Sequence, residues 1–182
     1  TCLPMRIIVL LHLLVMSSYM TAQHDEVLDS LQNLIRKEVT EGTNTFLPVA
    51  LAYDSVAILS GDTLKMGKGK NFIGMYHYYN GNHRQAINYY LEALPYFTAI
   101  RDTYYIAMMH NNIGAAYEYR KEPENSITYY QSALRYFTML QDTLWKANVC
   151  NNIGLQLNIS IRHDDSLENF TKARIIYLTL QQ

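Results

Sequence analysis

This sequence of 182 residues has little cysteine, little proline and almost no net charge. It contains two cysteines and four prolines, and its formal net charge at pH 7 is −1. Because Cys2 precedes the first methionine, Cys150 is the sole cysteine from Met5 onward, which excludes an intramolecular disulfide and a metal site built from thiolates there. The near-zero charge argues against nucleic-acid binding, which normally shows a basic excess or stripe. The three lysines within residues 65–70 are typical of a solvated helix face.

Long apolar runs are also scarce, and the clearest one lies at the N-terminus. Residues 7–16 are apolar apart from one histidine, follow a methionine and an arginine, and lead into small and polar residues that end at Ala22. A basic start, a short apolar stretch and a small residue before a polar one are the parts of a secretory signal. The run is too short to span a bilayer, which needs about 20 apolar residues. We expect residues 5–22 to be a signal peptide and the mature protein to begin at Gln23 in the periplasm; an uncleaved anchor and a buried N-terminal helix are the alternatives.

One sequence pattern recurs at a constant spacing in three copies. The aligned copies comprise the pairs Ile73-Gly74, Ile113-Gly114 and Ile153-Gly154, the pairs Asp62-Thr63, Asp102-Thr103 and Asp142-Thr143, and the segments 89–94, 129–134 and, less closely, 169–174. Repetition with a period of about 40 residues is the signature of an array of supersecondary units.

Each copy predicts two helices. The first helices are expected at residues 64–79, 104–119 and 144–159, and the second helices to begin near His83, Pro123 and His163. The Asp-Thr pairs supply capping side chains for the first helices, and a proline is well placed in a first helical turn. Pro95 falls inside a second helix, where we expect a kink, or alternatively an early end of that helix.

The segment from Ile73 to Leu94 resembles a tetratricopeptide repeat (TPR) motif. Its small residues Gly74, Ala86 and Ala93 stand where that motif packs helices closely, and Tyr90 stands where it fills the hole between them. The resemblance covers residues 62–182 and implies an all-α solenoid of antiparallel helix pairs with three repeats. Their bounds are 62–101, 102–141 and 142–182. The period of these repeats exceeds the length of about 34 residues that is usual in the family.

Residues outside the three repeats are also expected to be helical. Residues 24–60 predict a degenerate helix pair or N-terminal cap, with Leu28, Leu31, Leu34 and Ile35 as an apolar stripe and Pro48 opening the second helix. The last helix remains apolar up to Leu180, which indicates a fragment of a longer protein.

The resemblance also implies a binding groove lined by the first helix of each repeat. Its candidate residues are Asn71, Met75 and Tyr78, with Tyr79; Asn111, Glu118 and Tyr119, with Ala115; and Asn151 and Asn158, with Leu155 and Ile159. The three equivalent asparagines, Asn71, Asn111 and Asn151, offer both a donor and an acceptor to the backbone of a bound peptide. Alternatively, they bond neighbouring helices and set the stacking angle.

No motif for catalysis is present in recognisable form. Residues 61–69 superficially resemble a phosphate-binding loop, but the glycine spacing is one residue too long and the final Ser or Thr is missing; their glycines suggest a weak helix start. His163, Asp164 and Asp165 are better explained by helix capping than by metal binding. We therefore expect no enzyme activity, cofactor or metal.

The expected function is protein or peptide binding. Similarity to exported TPR regions of Bacteroidetes-type signalling proteins implies a sensory or scaffolding part of a larger signal-transduction protein, with a membrane tether in sequence beyond Gln182. A free periplasmic adaptor in envelope assembly is the alternative, and a small-ligand role of the aromatic-rich groove a third.

Overall fold

A computed structural model describes residues 5–159 and 163–180, and the side chains of residues 16–159 and 165–180. Every regular element in this part of the chain is an α-helix. The helices are α1 (Met5–Glu41), α2 (Leu47–Ser60), α3 (Thr63–Tyr79), α4 (His83–Ala99), α5 (Thr103–Tyr119), α6 (Pro123–Met139), α7 (Thr143–Ile159) and α8 (His163–Leu180). Each helix packs against the next one in the chain, which confirms the predicted α-solenoid of antiparallel helix pairs.

The odd-numbered helices α3, α5 and α7 begin directly after an aspartate. Asp62, Asp102 and Asp142 each accept a hydrogen bond at 3.0 Å from the backbone N–H three residues later. This bond satisfies an otherwise unpaired amide of the first turn and defines the start of the helix. The predicted starts are therefore one residue late.

The turns that follow α3, α4, α5 and α6 share one backbone geometry. Residues 81, 101, 121 and 141 all adopt left-handed φ values, from 56° to 76°. The N–H of each bonds to the carbonyl three residues earlier, and the following N–H bonds to the carbonyl five residues earlier, which is the Schellman arrangement. Because these turns are evenly spaced, each 17-residue helix and its turn form one unit. The sequence repeat is a pair of such units.

Within each of the three repeats, a glycine of the odd-numbered helix meets an aromatic ring of the following helix. A Cβ atom on Gly114 would lie 2.8 Å from Cδ1 of Tyr130. The equivalent distances are 2.7 Å for Gly74 and Tyr90, and 2.9 Å for Gly154 and Phe170. Real Cβ atoms essentially never approach another atom so closely, so the helices can pack this way only because these residues are glycines.

Serine replaces alanine at the second small position in two repeats and adds a hydrogen bond there. The buried hydroxyls of Ser126 and Ser166 donate to the carbonyl oxygens of Gly114 and Gly154, at 2.9 and 2.8 Å. Ala86 occupies this position in the first repeat and cannot donate. The substitution therefore preserves the close packing and strengthens the contact between paired helices.

The glycines of α3 have a packing role that the sequence did not suggest. A Cβ on Gly67 would lie 2.8 Å from Cε1 of Phe97 in α4, and one on Gly69 would lie 2.7 Å from Oδ1 of Asp54 in α2. These glycines let α3 approach both neighbouring helices; the expectation that they weaken the start of the helix stays a prediction.

Two other local expectations also differ from the structure. In the predicted stripe of α1, Leu28 and Ile35 are buried, but Leu34 is 49% exposed, because at 3.6 residues per turn it lies about 100° around the helix from Ile35. Helix α4 continues through Pro95 to Ala99, so the alternative of an early end is wrong; the kink remains a prediction. Within residues 5–159 and 163–180, no helix combines the length and apolar character needed to cross a membrane.

Candidate functional site: a groove along α1, α3 and α5

Two adjoining pockets form a groove across the odd-numbered helices. The first, of about 420 Å³, lies mainly between α3 and α5, and all its lining residues are uncharged: Asn71, Met75, Tyr78, Tyr79, Tyr90, Tyr104, Tyr105, Met108, Met109, Asn112, Ala115 and Trp145. The second, of about 270 Å³, lies between α1 and α3 and is lined by Gln32, Ile35, Arg36, Val39, Thr40, Lys68, Asn71, Phe72, Met75 and Tyr105. Because three residues line both pockets, the groove is continuous.

Asn71 lies at the junction of the two pockets. The residue is only 8% exposed, and its amide nitrogen lies 3.6 Å from the sulfur of Met75 in the same helix. Its Oδ1 is buried without a hydrogen-bond partner among the described residues. Such an unpaired buried acceptor is rare and costs free energy. A ligand N–H that reached it would satisfy this acceptor.

The other two predicted asparagines lie in different surroundings. Oδ1 of Asn111 is also buried without a described partner, but it is the next residue, Asn112, that lines the first pocket. Nδ2 of Asn111 lies 3.5 Å from Oδ1 of Asn112, and Asn151 is half-buried on α7. The described bonds of Asn71 and Asn111 stay within their own helices, so they do not tie neighbouring helices together.

An aromatic cluster adjoins the first pocket through Tyr78, which lines that pocket. The Tyr78 ring lies edge-on to Tyr119 at 5.4 Å between centroids, and Tyr119 stacks on His83 at 4.9 Å. Burial raises the pKa of Tyr78, and neighbouring Tyr119 adds to the effect. Burial also lowers the pKa of His83, helped by the positive charge of Arg120. Both shifts favour the uncharged forms of Tyr78 and His83, which matches the uncharged lining of the adjoining pocket.

Two predicted groove residues of the later repeats are placed differently. Glu118 accepts a hydrogen bond at 2.8 Å from the hydroxyl of Tyr130, so its carboxylate is engaged within its own repeat. Asn158 is exposed near the end of α7. Neither lines the two pockets of the groove.

The lysines of α3 differ in their partners. Lys65 pairs with Asp25 of α1, and Lys70 lies 2.8 Å from the Asp54 carboxylate of α2. Burial opposes the charge of Lys70, but the hydrogen bond to Asp54 and its charge together outweigh this and raise the lysine pKa. These two lysines join helices, so the expectation of a merely solvated face is wrong for them.

Lys68 is the member of this set that faces the groove. It lines the second pocket, and its Nζ lies 5.5 Å from the centroid of the Tyr105 ring. The contact is a cation–π interaction, which leaves the ammonium hydrogens free to bind an anion.

Metal binding has no support in the described side chains. Among them, no three His, Cys, Asp or Glu residues come together in a way that could hold a metal ion. The side chains of His163 and Asp164 lie outside the described residues, so the capping explanation given for them remains a prediction.

Sequence reasoning missed several groove residues. Met108 and Tyr105 of α5 line the first pocket, together with Asn112. Met108 lies three residues before Asn111, on the same helical face one turn earlier. Extending the predicted stripe by one turn would have found Met108. Arg36, which lines the second pocket, could not be found in this way, because it belongs to α1, which lacks the repeat signature.

Comparison with known proteins agrees with this architecture. Residues 66–139 match the model of the tetratricopeptide repeat family. The fold is similar to that of the apo form of RapI, with a TM-score of 0.67 and 16% identity over 84% of this chain and 43% of that one. BtubC (BKLC) from P. vanneervenii is also similar, with a TM-score of 0.60 and 15% identity over 90% of this chain and 74% of that one.

The comparisons establish a TPR-type solenoid at the level of the fold. The chain spans less than half the length of the RapI chain that it matches. A search of curated protein sequences found no significant match.

Proposed function

We propose that this chain is a non-enzymatic protein-binding module that holds an extended peptide segment of its partner in the groove along α1, α3 and α5. The observation that carries the proposal is the position of Asn71: an amide with an unpaired, buried oxygen at the junction of two connected pockets. An extended peptide presents N–H groups that cannot pair within the peptide itself. One of these, donated to Asn71, would satisfy an acceptor that the free protein leaves unpaired.

The test separates binding from stability in one variant. Peptides that bind the wild-type protein are selected from a random displayed library, and their affinities are measured by fluorescence anisotropy. Asn71→Ala should weaken binding by about 1–2 kcal/mol, the scale of a hydrogen bond in a desolvated interface. The melting temperature should not fall, because the lost oxygen had no partner in the free protein. The matched control is Asn88→Ala, an exposed asparagine of α4 outside the groove.

The stacking alternative predicts the reverse result. If Asn71→Ala lowers the melting temperature while retaining the selected peptides, the amide holds the helices together and does not bind ligand. Asn111→Ala is measured in parallel. It shows whether the other asparagine with a buried, unpaired oxygen also contributes to peptide binding.

We also propose that the protein is exported and that residues 5–22 are removed. The side chains of residues 16–23 are all exposed, so the fold does not depend on the end of the proposed signal. Burial begins after it, with Leu28 at 1% exposure, and Asp25 of α1 pairs with Lys65 of α3. These observations support processing at Ala22 with retention of the rest of α1.

We propose in addition that the module is part of a larger bacterial protein. A sensory or scaffolding role in a bacterial signal-transduction protein, tethered to the membrane by sequence beyond Gln182, accounts for both export and peptide binding. A free periplasmic adaptor in envelope assembly is the second candidate. Fractionation of cells that express the complete reading frame distinguishes them, since a tethered protein sediments with membranes and resists extraction by salt.

A further inference from the structure

We infer that the groove selects acidic peptides: segments in which an Asp or Glu side chain lies a few residues from an apolar, preferably aromatic, side chain. The inference rests on the proposed function and adds the chemistry of the partner. Its basis is the different charge of the two pockets, which adjoin at Asn71.

The first pocket fits an uncharged side chain. All its lining residues are neutral, and most are tyrosine or methionine. Aromatic walls bind flat apolar groups through a large contact area, and methionine side chains such as Met75 and Met108 adapt to the shape of what they contact. A charged group would lose its hydration here without gaining an opposite charge. The pocket therefore favours an aromatic or large aliphatic side chain.

The second pocket fits an anion. Two of its lining residues, Arg36 and Lys68, are positively charged, and none is acidic. Within the described side chains neither forms an ion pair, whereas the nearby Lys65 and Lys70 each pair with an aspartate. Two cations that face one cavity repel each other, and a carboxylate between them would replace this repulsion with charge-assisted hydrogen bonds.

The common wall of the pockets sets the spacing of the two peptide groups. Both pockets are lined by Asn71, Met75 and Tyr105. The peptide groups bound in the two pockets would therefore lie roughly one interhelical distance apart, about 8–10 Å. An extended chain rises about 3.3 Å per residue, so the acidic and apolar residues should be about two or three positions apart. The backbone between them would then pass over Asn71.

The experiment begins with the same displayed library, whose peptides are fused at their C-termini and have no free terminal carboxylate. Selected peptides are synthesised with amidated C-termini, and variants replace the acid by its amide or the aromatic residue by serine. The protein variants are Arg36→Gln, Lys68→Gln and the double variant. Lys37→Gln is the matched control, since Lys37 is the next residue of α1, is exposed and lies outside the pocket.

The expected result has three parts. Selection should enrich Asp or Glu about two or three positions from an aromatic or large aliphatic residue. The double variant should bind such a peptide about tenfold more weakly, the scale of a lost hydrogen bond to a charged group, and Lys37→Gln should bind as the wild type does. The amide form of the peptide should bind the wild type and the double variant equally. Melting temperatures of all variants should stay close to that of the wild type, because the loss of the weak cation–π contact between Lys68 and Tyr105 is offset by the relief of repulsion between the two cations.

Other outcomes would refute the inference, and each shows whether the proposed peptide binding fails with it. Selected peptides without acidic enrichment, whose binding still depends on Asn71, would refute the charge selectivity and leave peptide binding in the groove intact. If no peptide is selected, or if binding is indifferent to Asn71→Ala and to the double variant, both the inference and the proposed function fail. Equal binding of a single-stranded oligonucleotide with the same dependence on Arg36 and Lys68 would also overturn the choice of an acidic peptide.

Discussion

Substitution of Gly114 by valine tests the packing on which the whole solenoid depends. A single Cβ at this position would lie 2.8 Å from Cδ1 and 3.0 Å from Cε1 of Tyr130. The ring cannot easily retreat, since Tyr130 is 1% exposed and its hydroxyl is bonded to Glu118 at 2.8 Å. Valine also adds two methyl groups, so the paired helices α5 and α6 must move apart.

The expected loss is about 1–3 kcal/mol, the usual cost of forcing extra carbon atoms into a packed core. Helix propensity hardly contributes, because valine is only a few tenths of a kcal/mol better than glycine in a helix. For a chain of this length, each kcal/mol lowers the melting temperature by about 2–4 °C, which far-UV circular dichroism measures directly. Ala115→Val is the matched control, since Ala115 is the next residue and its side chain lines the open first pocket.

The cause can be isolated in a Tyr130→Ala background. Removal of the ring opens the space that the valine needs, so Gly114→Val should cost clearly less there than in the wild type. Equal costs in the two backgrounds would show that the ring contact is not responsible. An unchanged melting temperature of the single variant would refute the assigned register of the repeats.

Three further predictions concern other parts of the molecule. Asp54→Ala should cost about 3 kcal/mol in a urea titration because it leaves the ammonium of Lys70 unpaired, whereas replacement of both residues by apolar ones should recover most of the loss. Burial lowers the pKa of His110 below 6.5, so the unfolded state binds a proton more readily and stability should fall as the pH drops below about 6.5; His110→Phe should make the melting temperature less dependent on pH. Expression in a bacterium with a compatible secretion system should give a mature N-terminus at Gln23 by mass spectrometry, and intact protein that retains Met5 would refute export.

The repeats themselves explain why so much of the fold could be predicted. Residues one repeat period apart occupy equivalent environments. The three repeat glycines are therefore expected to make equivalent contacts, with the rings of Tyr90, Tyr130 and Phe170. Likewise, Asp62 and its two equivalents define three helix starts to within one residue. Each of these predictions is supported by three copies of the same local structure. In a repeat protein each repeat contacts only its neighbours, so these copies keep the same contacts.

The groove was harder to predict because it depends on relations that do not repeat. Asn71 lies against α1, which lacks the repeat signature, whereas Asn111 lies one residue away from the position that lines the pocket. Which flank of a helix faces the groove depends on the angle between successive pairs, and small side-chain differences set that angle. Arg36 and the Asp54–Lys70 ion pair occur once in the chain, so no second copy could reveal them.

The uniform turns also constrain how such a chain can change its length. Since each of the helices α3 to α6 forms, with its turn, a unit of constant length, removal of one unit, for example residues 83–102, would keep the other turns of this series intact but invert the order of the two helix types that follow. Helices built for the outer face would then line the groove, and the glycine-bearing helices α3 and α5 would meet at the junction without the ring of Tyr90 that fills the space beside Gly74. Removal of two units, such as residues 83–122, would preserve the alternation and shorten the groove by one step. Viable duplications and deletions should therefore come in even numbers of units, so the groove lengthens in steps of one helix pair.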